Sequence, residues 1–196
     1  IGQAGLLQED RPEDDYYTLL KREYQYLQKK FKISPVTAPV HFLRMRPGNF
    51  PTIRLAQLAV LIHQSSSLFT KIREAESLEE LKNWFDVTAN DYWHYHYSFA
   101  QISTYKPKKL GTVMLENIII NTMAPLLFAY GTYHKEQPCK DKALLWLEQT
   151  APESNSITNG FTHLGIEIKN AFDSQAIIEL KREYCDKKRC LECAVG

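Results

Sequence analysis

The chain has 196 residues, 44% of them hydrophobic and 24% charged, with a net charge of +1. This length and composition are typical of a globular protein that buries a sizeable core, and the near-neutral charge excludes a protein whose whole surface attracts nucleic acid or anionic membranes. Binding to either must therefore depend on local patches. Four cysteines are too few for a secreted disulfide scaffold, so we expect a reducing, cytoplasmic location.

Apolar and aromatic residues recur every three or four positions through most of the chain, and this spacing predicts α-helices. The first predicted helix covers 13–31, and a packed, proline-rich linker follows at 32–50. Further helices are predicted at 51–64, 77–85, 89–97, 111–133, 140–149, 156–163 and 174–184. Because strand-like alternation is nearly absent, we predict an all-α fold in which residues 1–196 form a single compact domain. It should contain seven to nine helices around a kinked central helix.

The central helix is predicted from the run Ile118–Tyr130, which is the most apolar in the chain. Asn121, Thr122 and Pro125 interrupt it, and it falls short of the roughly 20 apolar residues that a membrane span needs. We therefore expect a buried helix in a soluble protein, with no membrane partner. Because Pro125 has no N–H to donate to the carbonyl of Asn121, we predict a kink at that point.

The segment "RMRPGNFPTIR" places three arginines beside a predicted helix start. Asn49 or Phe50 should cap this helix, with Pro51 in its first turn. A helix start exposes unpaired N–H groups and the positive end of the helix dipole, so it attracts anions and repels arginines. We therefore predict a negative partner, which is either a set of carboxylates from this chain or a bound phosphate. The candidate anion-binding residues are Arg44, Arg46, Asn49 and Arg54.

The segment "NDYWHYHYSF" contains three residue types that bind metals, in Asp91, His94 and His96. Ligands on one face of a helix need spacings of three or four, and the two histidines are two apart. We therefore predict an aromatic core segment whose histidines are satisfied by hydrogen bonds.

The last dozen residues contain three of the four cysteines. Cys185, Cys190 and Cys193 have the spacing C-x4-C-x2-C, which is found in plant-type iron–sulfur proteins before a distant fourth cysteine. Structural zinc also needs four ligands. The candidates for the fourth ligand are Cys139, His63, His163 and a residue of another chain.

Three alternatives follow for these thiols. They bind zinc or an iron–sulfur cluster, or two of them form a disulfide and leave the third free, or all remain reduced and pack as small hydrophobes. For a disulfide, the favoured pairing is Cys185 with Cys190 or Cys193, because the chain can turn through Asp186 and Lys187. The tail at 185–196 also adjoins a basic run, which is either a phosphate-binding surface or a solvated helix face. This basic run consists of Lys181, Arg182, Lys187, Lys188 and Arg189.

Three long segments together resemble one protein family. They are "LRMRPGNFPTIRLAQLA", "IIINTMAPLLFAYG" and "NAFDSQAIIELKREYCDKKRCLECAVG", and they resemble the family of unknown function DUF2851. The resemblance extends over nearly the whole chain and implies that the arginine segment and the cysteine tail are family motifs. It also implies a bacterial protein of which this chain is the C-terminal part, behind an N-terminal half that is similar to nucleases. The family brings no established activity.

Two functions from different classes are compatible with these features. The first is a non-catalytic helical module that binds nucleic acid or another phosphate-bearing partner, accessory to the N-terminal half. The second is a structural or protein-interaction domain whose cysteine tail packs or holds a metal. No Ser-His-Asp, Cys-His or paired-carboxylate spacing indicates an enzyme, so no catalytic residue is predicted.

Overall fold

The computed structural model describes residues 1–9, 13–38, 40–42, 49–99 and 101–195. Within these ranges ten α-helical segments form nine separate runs, because α6 and α7 are joined by a π-helical stretch at Ile119–Met123. The α-helices are α1 Asp15–Phe31, α2 Pro51–Gln64, α3 Leu68–Glu74, α4 Leu78–Phe85, α5 Asp91–His94, α6 Thr112–Ile118, α7 Ala124–His134, α8 Gln137–Gln149, α9 Ser156–His163 and α10 Ala171–Glu179. The all-α prediction is confirmed.

The extended structure in the described residues is small. Strands β1 His96–Ser98 and β2 Gln101–Ile102 pair antiparallel, with His96 opposite Ile102 and Ser98 opposite Gln101. A second π-helical stretch, Leu180–Cys185, continues from α10, and a 3-10 turn follows at Cys190–Glu192.

The chain divides into two compact units. The first comprises Ile1–Leu68 and Asp86–Leu110, and the second comprises Phe69–Phe85 and Gly111–Gly196. Each unit is therefore built from two separate stretches of sequence. The number of domains stays a prediction.

The first unit is built on α1 and α2. The side chain of Asp14 caps α1 by accepting a hydrogen bond from the backbone N–H of Tyr17 at 2.8 Å, and it also accepts one from the hydroxyl of Tyr92 at 2.5 Å. The core of this unit contains the buried side chains of Ile53, Ala56, Ala89 and Trp93. Part of the proline-rich linker packs against the start of the chain, since Val36 N–H donates to the Gln3 carbonyl at 2.8 Å.

The second unit is built on the antiparallel pair of α7 and α8, which are joined by Lys135 and Glu136. Lys135 ends α7 in the left-handed conformation, with a φ of 60°, and Glu136 N–H donates to the Gly131 carbonyl at 2.8 Å. The absence of a side chain at Gly131 lets this turn close tightly, because a Cβ there would lie 2.8 Å from the carbonyl oxygen of Glu136.

The helical run through α6 and α7 has one buried face. Ile119, Met123 and Leu127 are at most 1% exposed, whereas Leu126 is 46% exposed and Val113 is 75% exposed. The run is therefore buried on one face and exposed on another, whereas the sequence predicted a helix that is buried as a whole. The π-helical stretch ends two residues before Pro125, at the position predicted for the kink, and widening the helix there accommodates the missing N–H.

This run, Thr112–His134, is 23 residues long. By length and composition it could cross a membrane, although core helices of soluble proteins meet the same criterion. Only 33% of its most apolar window is buried. The helical run is therefore longer than its most apolar part, Ile118–Tyr130, and the absence of a membrane partner stays a prediction.

Several observed helices differ from those predicted. The predicted helix 89–97 is limited to α5, after which the chain forms β1. Helix α3 was not predicted at all. Helix α8 begins three residues earlier than expected, and α10 begins at Ala171, where the side chain of Asn170 accepts a hydrogen bond from Asp173 N–H.

Candidate functional site

The anion site predicted from the sequence lies at the amino end of α2, and the structure describes part of it. Pro51 occupies the first turn, and Phe50 precedes the helix without a side-chain hydrogen bond to its free N–H groups. Phe50 is therefore the N-cap residue, which is one of the two predicted candidates, and the side-chain oxygen of the other, Asn49, accepts a hydrogen bond from Arg54 Nη2 at 2.5 Å. Arg44 and Arg46 lie outside the described residues.

Arg54 is half-buried in this first turn. Its Nη1 donates to Gln57 Oε1 at 2.8 Å, so both of its terminal nitrogens bond to neutral amide oxygens. In the described part of the chain no carboxylate pairs with it. Burial lowers the pKa of Arg54 from its ordinary value, because the charged form is partly removed from water.

Gln57 also bonds to the backbone of a second basic residue, Lys108. The amide nitrogen of Gln57, a side chain only 1% exposed, donates to the Lys108 carbonyl at 3.0 Å. Lys108 is itself buried, at 4% exposure. Its ammonium lies 3.8 Å from the centre of the Tyr97 ring and donates to the carbonyl of Lys106 at 3.0 Å. Within the ranges that the structure describes, it too has no carboxylate partner.

The exposure of the residues around the amino end of α2 determines which of them a ligand could contact. Thr52 and Ile53 are each 1% exposed, and the Thr52 hydroxyl donates to the Tyr97 carbonyl at 2.5 Å. An anion would therefore contact the exposed Asn49 and the half-buried Arg54 rather than the side chains of Thr52 and Ile53.

The histidine segment forms an aromatic cluster. The ring of His96 stacks on Tyr92 with centroids 4.0 Å apart, and its Nδ1 lies 2.7 Å from the Tyr92 carbonyl. His94 Nδ1 is 3.7 Å from a carboxylate oxygen of Asp91, and its Nε2 is buried without a hydrogen-bond partner among the described residues. His96 therefore has the hydrogen bond that was predicted for the histidines of this segment, whereas one ring nitrogen of His94 has none among the described residues.

The cysteine tail is described except for its last residue. All four cysteines are free: Cys185 and Cys190 are exposed, Cys193 is half-buried and Cys139 is buried. Among the described residues no group of three or more His, Cys, Asp or Glu side chains is arranged to hold a metal. The three tail thiols are therefore not arranged around a common metal position, and the zinc or iron–sulfur alternative stays a prediction.

The basic run is largely paired with carboxylates. Lys181 pairs with Asp186, and Lys187 pairs with Glu183. Arg189 donates to Glu192 at 2.5 Å and 3.1 Å. Arg182 and Lys188 have no ion pair in the described part of the chain, so two of the five predicted basic residues keep an uncompensated charge.

The first unit also contains a cavity of about 780 Å³ between α1 and α2. Apolar side chains such as Leu20, Val60 and Leu27 form most of its wall. Of the described anion-binding candidates, neither Asn49 nor Arg54 lines it. The chemistry predicted from the arginine segment therefore lies elsewhere on α2.

Comparison with known proteins identifies a family, but the description of that family names no activity. No curated protein and no solved structure matches the chain significantly. The family model described as "protein of unknown function (DUF2851)" matches residues 1–156, which include the arginine segment and the central helix but not the cysteine tail. On this match over most of its length, the chain belongs to the DUF2851 family of proteins of unknown function.

Proposed function

We propose that this protein is a binding module for a phosphate-bearing ligand, which it holds at the amino end of α2. The observation that carries the proposal is that Arg54 is half-buried at this helix start with no carboxylate partner among the described residues. Gln57, which accepts a hydrogen bond from Arg54, also donates to the backbone carbonyl of Lys108, a buried lysine that likewise has no described carboxylate partner. Arg54 supplies the contact group, because it is the less buried of the two and lies beside the exposed Asn49.

The proposal follows from the cost of burying charge. A cation removed from water without a negative partner is destabilised, and neutral carbonyl and amide oxygens offset only part of that cost. A phosphate at this position would supply the missing negative charge. It would also interact favourably with the positive end of the α2 dipole.

The basic run contributes less to this proposal than the sequence suggested. Exposed ion pairs such as Lys187–Glu183 are weak, yet each places a negative charge beside a cation and so reduces the attraction for a second anion. A ligand that depends on the arginine segment alone needs only one or two phosphates. Small phosphate compounds therefore fit the proposal at least as well as a nucleic acid.

Titration with two probes tests the proposal and separates these two ligands. Inorganic phosphate and a mixed-sequence single-stranded oligonucleotide would each be added to uniformly ¹⁵N-labelled protein, and amide shifts of 49–57 would be followed. We expect phosphate to shift these amides. Binding of the oligonucleotide with an affinity that falls steeply with salt would identify nucleic acid as the ligand. No shift with either probe would overturn the proposal.

Two matched variants locate the binding. Arg54→Lys keeps the charge but loses the planar fork, so phosphate binding should weaken by about tenfold, the equivalent of one charge-assisted hydrogen bond. Arg22→Lys makes the same replacement at an exposed arginine of α1 in the same unit and should leave the affinity unchanged. Equal effects of the two variants would place the binding outside the arginine segment.

The alternative function, a protein-interaction domain, is favoured by exposed apolar side chains in the second unit. Leu126, Tyr133 and Leu145 are 46%, 83% and 48% exposed on α7 and α8. A second copy of the chain is the simplest partner to test, by sedimentation velocity at increasing concentration. If self-association occurs and Leu145→Asp abolishes it while phosphate shifts no amide, the interaction domain replaces the binding module.

A further inference from the structure

The last turn of the described chain brings two cysteines together. Residues Cys190–Glu192 form a 3-10 turn, and the N–H of Cys193 donates to the carbonyl of Cys190 at 3.1 Å. A turn closed between residues i and i+3 places their Cα atoms within about 7 Å, and disulfides join Cα atoms that are about 4.4–6.8 Å apart. Cys190 and Cys193 therefore have the backbone separation that a disulfide needs.

Both thiols are free, and they differ in exposure. Cys190 is exposed, whereas Cys193 is half-buried. A reagent in solution therefore reaches the sulfur of Cys190 first. Cys193 is then placed to attack that sulfur from within the same turn.

Two polar contacts lie beside the pair. Glu192, which lies between the two cysteines, would repel a thiolate, but its carboxylate is paired with the Arg189 guanidinium at 2.5 Å. The backbone N–H of Val195 lies 3.4 Å from the sulfur of Cys193 and donates to it. Neither contact therefore places an unpaired negative charge beside the two sulfurs, and the thiolate is the form of a cysteine that attacks disulfides.

We infer that Cys190 and Cys193 form a redox-active dithiol that closes to an internal disulfide by exchange with a small disulfide such as oxidised glutathione. The thiolate of Cys190 attacks one glutathione sulfur, which forms a mixed disulfide and releases one glutathione thiolate. The thiolate of Cys193 then attacks the sulfur of Cys190 and releases the second. The two protein thiols lose two electrons and two protons, and oxidised glutathione takes up both to become two reduced molecules.

This assignment leaves out Cys185, although a disulfide of Cys185 with Cys190 or Cys193 is the pairing that the sequence favours. Cys185 ends the π-helical stretch, and its carbonyl accepts a hydrogen bond from Lys188 N–H at 3.1 Å. Lys188 has a left-handed φ of 53° and redirects the chain before the 3-10 turn begins. No described backbone hydrogen bond joins Cys185 to either member of the pair.

Tryptic peptides distinguish the pairings directly. Cleavage after lysine and arginine places Cys185 in the peptide 183–187 and both other tail cysteines in the peptide 190–196. The full chain would be incubated with oxidised glutathione, and its remaining thiols would be blocked with iodoacetamide before digestion. We expect the peptide 190–196 to lose two hydrogens and to take up no iodoacetamide, while the peptide 183–187 is alkylated.

Single variants test the order of the two steps. Cys193→Ser should trap one glutathione on Cys190, because the resolving thiol is missing, and Cys185→Ser should leave the internal disulfide unchanged. A persistent glutathione adduct on the wild-type peptide 190–196 would overturn the inference. Alkylation of both of its cysteines, or a cross-link to the peptide 183–187, would also overturn it.

Discussion

Leu126 and Leu127 are adjacent in α7 and have opposite surroundings. Leu127 is 0% exposed and Leu126 is 46% exposed. Leu127→Ala should lower the free energy of unfolding by about 2–5 kcal/mol, since it loses buried apolar surface and leaves a cavity. Leu126→Ala is the matched control and should cost less than about 1 kcal/mol. Urea denaturation measures both, and equal losses would contradict the assignment of the buried face.

Cys139 differs chemically from the tail cysteines. Burial raises the pKa of its thiol, and the Glu136 carboxylate, which accepts a hydrogen bond from it at 3.3 Å, raises the pKa further. The thiolate is the reactive species, so iodoacetamide at mildly alkaline pH should modify Cys185 and Cys190 well before Cys139. Mass spectrometry of partly alkylated native protein checks this order. Modification of Cys139 at the same rate would show that it is accessible and ionised.

The same raised pKa gives a pH dependence of stability. Above about pH 8.5 the thiol ionises in the unfolded chain but stays protonated in the folded one, so unfolding releases a proton. Stability should therefore fall as the pH rises from there through the raised pKa of Cys139. The variant Cys139→Ser, which has no thiol to ionise, should show a smaller decline in urea midpoint over this range. An identical decline in both proteins would assign the effect to other groups.

The candidate anion site shows how far single residues could be predicted. Asn49 and Arg54 were identified because a helix start can be recognised from Pro51 and the apolar spacing that follows. Lys108 was missed, since in "YKPKKLG" it resembles any other solvated lysine. Its burial depends on contacts with Tyr97 and Gln57, which are distant in sequence, and no local pattern records such contacts.

At the scale of elements, two glycines inside helices should respond to alanine with opposite signs. A Cβ on Gly131 would lie 2.8 Å from the Glu136 carbonyl oxygen and 3.0 Å from Cys139 Cβ, whereas one on Gly160 would meet nothing within 4 Å. Alanine is favoured over glycine in helices by about 1 kcal/mol, so Gly160→Ala should stabilise the protein by roughly that amount. Gly131→Ala should destabilise it, because the backbone between α7 and α8 has to move. Thermal unfolding of both variants gives the signs, and a gain at Gly131 would mean that the turn can yield.

The segment after α5 shows why a helix prediction failed. The aromatic residues of "NDYWHYHYSF" are spaced compatibly with a helix, yet the helix stops at His94. Lys106 N–H donates to the His94 carbonyl, and Ser103 N–H donates to the Tyr95 carbonyl. These bonds occupy acceptors that a longer helix would use for itself. The partners lie eight and twelve residues further along the chain, beyond the range of helical periodicity.

For the central helical run, the sequence predicted the helix ends more accurately than it predicted which side chains are buried. Pro125 correctly indicated an irregularity, because its missing N–H is a local property of the sequence. The nearly uniform apolar composition gave no information on which face is buried, and Val113 and Leu126 proved exposed. Composition determines how much apolar surface a helix could bury, but the elements that pack against the helix determine which side chains are buried.

At the scale of the whole molecule, the two units are interleaved along the chain. The chain passes from one unit to the other after Leu68, after Phe85 and after Leu110. Neither unit is therefore a continuous segment that could be excised. The two stretches of each unit are joined by a stretch that belongs to the other unit, so neither unit can form from one uninterrupted piece of chain. We therefore predict that the two units unfold together in one transition.

Hydrogen exchange on Leu127→Ala tests this prediction. The substitution lies in the second unit, and the most protected amides of α8 should lose protection equivalent to the measured loss of stability. If unfolding is concerted, the most protected amides of α2 in the first unit should lose the same amount, although α2 contains no substituted residue. The exposed-site variant Leu126→Ala should leave both helices nearly unchanged. Loss confined to α8 would show two independently unfolding units and would refute the single-domain prediction, since a shared transition cannot be destabilised in one half alone.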